Sequence, residues 1–179
     1  MHCREENAIE EKLKYRTLWR VTRYADAAAF DAGVPTPVVD ADGNKLPAIS
    51  EIDGNLLLNE GIALLLDLLI GAGGTAYNNA NSYIGVGDSS TAEAASQTAL
   101  QAASNKTYKA METSYPSRSA QTVTWRSVFG SGDANYAWNE FTIVNASTDT
   151  GTNLNRKVSS QGTKASGQTW TVDVSITIS

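Results

Sequence analysis

The sequence predicts a mainly β protein, an antiparallel, jelly-roll-like β-sandwich with one buried apolar helix and an extended N-terminal arm. The first observation is the segment 169–178, in which apolar and polar residues alternate as in a half-buried strand. One face of this strand carries Trp170, Val172, Val174, Ile176 and Ile178. The second is a series of similar segments separated by Gly, Ser, Asn and Asp, which indicates several antiparallel strands. The third is a leucine-rich segment, residues 56–70, that is long enough for a helix.

Length and composition favour one domain preceded by an arm. A chain of 179 residues and 19.0 kDa can bury one sizeable core. We assign residues 1–54 to an N-terminal arm, strand and extended loop, and residues 55–179 to the β-sandwich domain. Charged residues make up only 18% of the chain. The surface should therefore be neutral and rich in hydroxyl groups, which suits permanent protein contacts.

Charge and cysteine usage exclude several classes of function. A net charge of -5 and a pI near 4.8 disfavour nucleic-acid binding, because that binding requires Lys and Arg to neutralise phosphates. No apolar stretch reaches the ~20 residues of a membrane helix, and the charged segment 1–14 is not a secretory signal. The only cysteine, Cys3, excludes an intrachain disulfide and fits assembly in a reducing cytoplasm.

The charged segment 1–14 predicts a mobile arm or a short helix, and the aromatic and β-branched residues of segment 15–24 predict a strand. One side of this strand carries Tyr15, Trp19 and Val21. The other side carries Arg16, Leu18, Arg20 and Tyr24. Two arginines beside apolar residues are typical either of a solvent-exposed face or of a contact with a neighbouring subunit. The candidate interface residues of this strand are Arg16, Trp19 and Arg20.

The segment 25–53 has the Gly and Pro content of a long loop. Within it, Asp40, Asp42, Asn44 and Glu51 occupy positions 1, 3, 5 and 12 of an EF-hand-like loop. Lys45 stands where that loop needs Gly, and Pro47 lies inside it. The pattern therefore favours a hairpin turn around Asp42-Gly43, with calcium binding as the alternative.

Residues 56–70 should form one helix, capped by residues 53–55 and ended by Gly71. Hardly any polar residue interrupts its surface, and a helix that is apolar nearly all round must be covered on most sides. A single sheet cannot do this, so a second sheet or an oligomer should. We expect a symmetric homotrimer with the helix near its axis. The candidate interface residues of this segment are Leu57, Leu65 and Leu69.

The remaining chain predicts strands with turns between them. A buried strand is expected at residues 82–88. After it, Ser90 and Glu93 match a capping box at the start of a second helix, although the same residues are also compatible with an ordered loop. Further strands are expected at residues 106–115, 121–129, 135–144, 153–159 and 168–178.

The sequence offers little catalytic chemistry. The sole histidine is His2, so a histidine-based triad or metal site would have to be built from the arm. We therefore expect neither an enzyme nor a bound cofactor. A glycosidase needs only two carboxylates, but turn formation and solvated strand faces are the favoured roles of the candidates. These candidates are Asp133, Glu140, Asp149 and Asp173.

The alternation of apolar and polar residues indicates which tryptophans belong to the core and which could contact a ligand. Trp125 and Trp170 have the inward phase of their strands, which indicates core residues. Tyr136 and Trp138 instead lie beside the glycine-rich segment 130–133. They are the candidates for contact with a glycan.

The order of features in residues 55–179 resembles small virion proteins of tailed bacteriophages. It consists of the leucine-rich helix, then residues 83–92, 98–100 and 124–126, and the closing segment 170–179. The resemblance implies a β-rich fold used by trimeric capsid decoration (cement) proteins and by tail-fibre or adaptor modules, without catalytic residues. It also implies assembly in the host cytoplasm, location in the virion, and a major capsid protein or a tail or neck protein as partner.

Three functional hypotheses follow from the sequence. The first is a non-enzymatic structural protein that stabilises or decorates the capsid shell as a symmetric oligomer. The second is a tail-fibre, tail-tip or adaptor protein of the same particle. The third is a carbohydrate-binding module for a host surface.

Overall fold

Two five-stranded antiparallel sheets form most of the regular structure in the computed structural model, which describes residues 14–179. The helices are α1 (Ala27–Asp31) and α2 (Asn59–Ile70). In chain order, the strands are β1 (Tyr15–Tyr24), β2 (Val38–Val39), β3 (Lys45–Leu46), β4 (Ile49–Asp53), β5 (Leu56–Leu57), β6 (Tyr83–Gly87), β7 (Lys106–Ala110), β8 (Ser117–Ser119), β9 (Thr122–Phe129), β10 (Glu140–Val144), β11 (Asn155–Val158) and β12 (Thr169–Ile178). The mainly β, sandwich-like fold predicted from the sequence is confirmed.

The first sheet has the strand order β4-β1-β12-β9-β8. Its central pair is β1 with β12, which are in register from Tyr15 opposite Ile178 to Tyr24 opposite Thr169. Alternate residues of both strands point inward, so Trp19, Val21 and the apolar residues of β12 are buried. The predicted strands at 15–24 and 168–178 are thus confirmed.

The second sheet has the order β5-β11-β10-β6-β7 and packs its inner face against the first. Aromatic rings fill the space between the sheets, with Trp138 at 4.8 Å from Phe129 and 4.9 Å from Trp170, measured between ring centroids. The domain boundary predicted at residue 54 falls between β4 and β5, which belong to different sheets. Residues 15–53 contribute β1 and β4 to the first sheet.

Helix α2 begins three residues later than predicted, because Leu56 and Leu57 form β5 and pair with Arg156 and Asn155 of β11. The residue before the helix, Leu58, makes no side-chain capping bond, so the cap predicted at residues 53–55 was wrong. The end was predicted correctly, since Gly71 follows the last turn with a φ of 73°.

Two predictions concern segments outside these elements. The arm or short helix predicted at residues 1–14, with His2 and Cys3, lies outside the described residues except for Lys14. No helix within residues 14–179 is long and apolar enough to cross a membrane.

Gly61 sets how closely α2 approaches the segment before β11. A Cβ atom at this position would lie 2.4 Å from the carbonyl oxygen of Leu154 and 2.7 Å from that of Asn153. Helix and segment therefore meet backbone against backbone, and α2 is anchored at its first turn.

We predict that Gly61→Ala lowers the free energy of unfolding, measured by urea denaturation. Overpacking against a backbone costs about 1–3 kcal/mol, which exceeds the ~1 kcal/mol that Ala gains over Gly within a helix. Gly132→Ala is the control, because nothing lies within 4 Å of its Cβ position. Equal stability of Gly61→Ala and the wild type would contradict this account of the helix contact.

Candidate functional site: an apolar surface on helix α2

Helix α2 carries the largest group of exposed aliphatic side chains in the described chain. Only Gly61 and Leu64 of the helix are buried. The sequence predicted a buried helix, but one side of α2 alone reaches the core of this chain. We define the helix patch as six side chains that are 39–80% exposed: Ile62, Leu65, Leu66, Leu69, Ile70 and Ile178.

A groove of about 410 Å³ runs between α2 and the inner face of the first sheet. The helix side contributes Leu65 and Leu66, and the sheet side contributes Tyr15, Val123 and Ile176. Among the described residues, none that lines the groove is charged. The groove is therefore an open end of the hydrophobic core, with the helix patch as its rim.

The candidate interface residues of α2 and β5 lie together. Leu57 and Leu65 line the groove, and Leu69, at 80% exposure, projects from the patch. Leu65 and Leu69 lie together because residues four apart share one face of a helix, whereas Leu57 reaches the groove from β5. Sequence reasoning missed Ile178, which comes from the last strand and reaches the rim through its pairing with Tyr15.

The candidate residues of β1 lie elsewhere. Trp19 is fully buried, with its ring centroid 5.8 Å from that of Phe141, so its assignment to a subunit interface was wrong. Its inward phase makes it a core residue of this chain. Arg16 and Arg20 lie on the outer face of the first sheet, where they pair with acidic residues of β4. The distances are 3.1 Å from Arg16 to Asp53 and 2.6 Å from Arg20 to Glu51.

The two candidate glycan contacts do not present open rings. Trp138 is fully buried and donates its indole N–H to the carbonyl oxygen of Ala134 at 2.9 Å. Tyr136 is half-buried, and its hydroxyl donates to the Val86 carbonyl at 3.2 Å. The loop that carries them folds back onto the core, so Trp138 is not available to a sugar at the surface.

Each of the four candidate carboxylates is paired with a basic residue of the same chain. Glu140 pairs with Arg156 at 2.6 Å, Asp173 with Arg126 at 2.6 Å, Asp133 with Lys109 at 2.9 Å, and Asp149 with Lys106. These partners hold the carboxylates in structural ion pairs. The solvated strand face that the sequence favoured was wrong for Glu140 and Asp173, because both are buried.

The Glu140–Arg156 pair is fully buried and fixes the long segment 88–105. The carboxylate of Glu140 accepts from the backbone N–H groups of Gln101, at 2.8 Å, and Ala102, at 2.7 Å. Arg156 donates through Nη1 to the Thr91 carbonyl at 2.9 Å. Glu93, half of the predicted capping box, accepts instead from the Val158 N–H. Of the two alternatives, the ordered loop is correct.

The EF-hand-like positions do not converge on one point. The Asp40 carboxylate accepts from the backbone N–H groups of Asp42, at 3.0 Å, and Asn44, at 2.7 Å, and so closes the hairpin of β2 and β3. Glu51 lies in β4 and is paired with Arg20. Within residues 14–179 there is no cluster of three His, Cys, Asp or Glu that could hold a metal ion.

Besides Arg156, sequence reasoning missed two buried cations. Arg23 lies 4.7 Å above the ring of Trp170 and donates to the carbonyl oxygens of Pro47, at 3.0 Å, and Gln161, at 2.9 Å. Burial lowers its pKa to about 10. The alternation of β1 contained the signal, because Arg23 follows Trp19 and Val21 on the inward side.

The second missed cation is Lys164, which has no exposed surface. Its ammonium group donates to the Gly130 carbonyl and to Oδ1 of Asn135, both at 2.8 Å. Burial lowers the pKa of Lys164 to about 8. This lysine ties the chain before β12 to the loop that carries Tyr136 and Trp138.

We predict a pH dependence of stability that originates from Lys164. Between about pH 8 and its ordinary pKa of 10.5, the unfolded chain binds a proton that the folded chain has released. The contribution of Lys164 to the free energy of unfolding should therefore rise with pH in this range, by up to about 1.4 kcal/mol per pH unit, and this group should add no slope below it. Towards pH 10 the buried Tyr77, Tyr108 and Tyr136, whose pKa values burial raises, oppose this rise, so the difference between variant and wild type is the measure. Lys164→Met should remove that rise in urea unfolding between about pH 8 and pH 10, whereas the exposed Lys45→Met should keep it. A rise that persists in Lys164→Met would refute the assignment.

In comparisons with known proteins, no family model matches this chain, and no curated protein or solved structure matches it significantly. Among the described residues, the most distinctive surface feature is the helix patch with its uncharged groove.

Proposed function

We propose that this protein is a non-enzymatic structural subunit that assembles as a symmetric homo-oligomer, in the simplest form a trimer, and decorates or stabilises a phage capsid shell. The observation that carries the proposal is the helix patch. A contiguous apolar surface of this kind is typical of a protein interface. A second copy of the chain is the proposed occupant.

The shape of the surface supports self-association. The exposed side chains of Leu66, Leu69 and Ile70 form a ridge directly beside the groove. A ridge and a groove on one face allow each copy to insert its ridge into the groove of the next. Such a head-to-tail contact gives a closed ring when the rotation between copies closes.

The free energy gained by covering the helix patch also supports self-association. The six side chains of the helix patch together expose the equivalent of roughly three complete aliphatic side chains, and covering them would contribute about 5–10 kcal/mol. A micromolar dissociation constant corresponds to ~8 kcal/mol. In a ring, every subunit takes part in two such contacts, so the patch is large enough to drive assembly.

The place on a phage particle is supported by the sequence resemblance of residues 55–179 to small virion proteins. It implies the major capsid protein as the second partner, or a tail or neck protein if the chain acts in the tail. The apolar, uncharged groove suits a permanent assembly, because its contacts do not weaken with salt.

We predict that light scattering gives the mass of an oligomer for the wild type and of a monomer for Leu69→Glu. Leu69 is 80% exposed, so the charge should block the interface without disturbing the core. Val34→Glu is the matched control, because Val34 is an exposed aliphatic residue outside the patch and should leave the oligomer intact. A monomeric wild type at micromolar concentration, or an oligomer in Leu69→Glu, would exclude this interface.

We further predict that antibodies raised against the purified chain label the heads of the particles that encode it, as seen by immunogold electron microscopy. Labelling of the tail would support the tail-fibre, tail-tip or adaptor alternative. Labelling of neither part would exclude a virion protein, whatever the oligomeric state.

A further inference from the structure

The outer face of the first sheet carries a second surface, unrelated to the helix patch. Side chains of β1, β12 and β9 that point away from the core line two adjoining depressions of about 250 and 260 Å³. Both depressions are lined by Tyr115 and Arg126. We call them together the outer cleft, and its principal residues are Tyr24, Phe30, Glu112, Tyr115, Arg126 and Asp173.

Aromatic rings stand at two places in the cleft. The ring of Tyr115 lies 4.9 Å from the guanidinium carbon of Arg126. Tyr24 and Phe30 make an edge-to-face pair with centroids 5.2 Å apart. All three rings are half-buried, so each keeps an exposed part. Rings that are fixed on one side and open on the other can stack against an apolar face of a ligand.

The polar groups between the rings have unused hydrogen-bonding capacity. Arg126 donates through Nε to Oδ1 of Asp173 at 2.6 Å. This hydrogen bond raises the pKa of Arg126. Among the described residues, none accepts from Nη1 or Nη2 of Arg126, donates to Oδ2 of Asp173, or bonds the Glu112 carboxylate. The side chain of Arg126 is 41% exposed, so its free donors face solvent. The free acceptors in the cleft are Oδ2 of Asp173, whose side chain is 12% exposed, and the exposed carboxylate of Glu112.

The loop that carries Tyr115 is held in place before any ligand arrives. The side-chain amide of Asn79 donates to the carbonyl oxygens of Tyr115, at 2.6 Å, and Glu112, at 3.1 Å. The Tyr115 N–H donates to the Glu112 carbonyl at 3.1 Å. A fixed loop loses little conformational entropy on binding, which favours a preformed site.

We propose that the outer cleft binds an uncharged saccharide. A sugar ring offers an apolar face of C–H groups and, at its edge, hydroxyl groups that each donate and accept. The open aromatic rings can stack against the apolar face. The free N–H donors of Arg126 and the carboxylates of Asp173 and Glu112 can bond the hydroxyl groups. An anionic ligand is disfavoured, because Arg20 and Arg126 are already paired with Glu51 and Asp173, and the Glu112 carboxylate in the cleft has no basic partner among the described residues.

This site differs from the one that the sequence suggested at Tyr136 and Trp138, and it is independent of the oligomer. The groove lies on the inner side of the first sheet and the outer cleft on the other. Failure of assembly in Leu69→Glu therefore leaves the cleft intact, and the two proposals can fail separately.

The test is binding of the full-length chain to an array of bacterial and mammalian glycans, followed by titration of the strongest binder. Tyr115→Ala and Arg126→Gln should each weaken binding by about tenfold or more, because one removes stacking and the other removes the donors. Arg126→Lys should weaken it similarly, since a lysine lacks the planar fork. Tyr115→Phe keeps the ring and should bind nearly normally.

Arg118→Gln is the matched control, because Arg118 is an exposed arginine on β8 of the same sheet, outside the cleft. Thermal unfolding of each variant shows whether the fold is retained. No bound glycan on the array would overturn the proposal. So would a bound glycan whose affinity is unchanged in folded Tyr115→Ala and Arg126→Gln.

Discussion

The antiparallel pairing of β1 with β12 is the constraint on which the rest of the structure depends. It joins the first described strand to the last over ten residue pairs, from Tyr15 with Ile178 to Tyr24 with Thr169. The inner face of this pair supplies Trp19 and Trp170, around which the aromatic core is built. It also supplies the wall of the groove beneath α2. Because the paired residues are so distant in sequence, the core and the groove both need residues from the two ends of the described range to form.

Buried charges hold the parts of the chain that have no regular structure. Glu140 and Arg156 fix the segment 88–105 over the second sheet, and Arg23 joins β1 to the carbonyl oxygens of Pro47 and Gln161. A buried ion pair is costly to desolvate, so its contribution to net stability is small. The pair instead determines the loop conformation, because its hydrogen-bond donors and acceptors are all satisfied in only one arrangement of the loop. Through such bonds, a sandwich with long loops holds those loops in one conformation.

Much of the fold could be predicted because alternation and helix spacing are local signals. The strand 168–178 and the end of α2 at Gly71 follow from them directly. Trp138 could not be placed, since it lies in a loop where no period indicates which side is buried. The outer cleft was missed for a related reason. Its partners Arg126 and Asp173 are 47 residues apart and meet only through the register of β9 with β12.

The two surfaces have different chemistry and lie on opposite sides of one sheet, and under the two proposals this arrangement would connect them functionally. An oligomer built through the helix patch would carry one outer cleft per subunit, all of them outside the interface. Saccharide sites in shallow polar clefts bind weakly one at a time, but several on a rigid ring raise the apparent affinity by about 10²–10⁴ without new contacts. Assembly through α2 would therefore convert a weak site on the outer face into effective adhesion to a surface that presents many copies of the sugar.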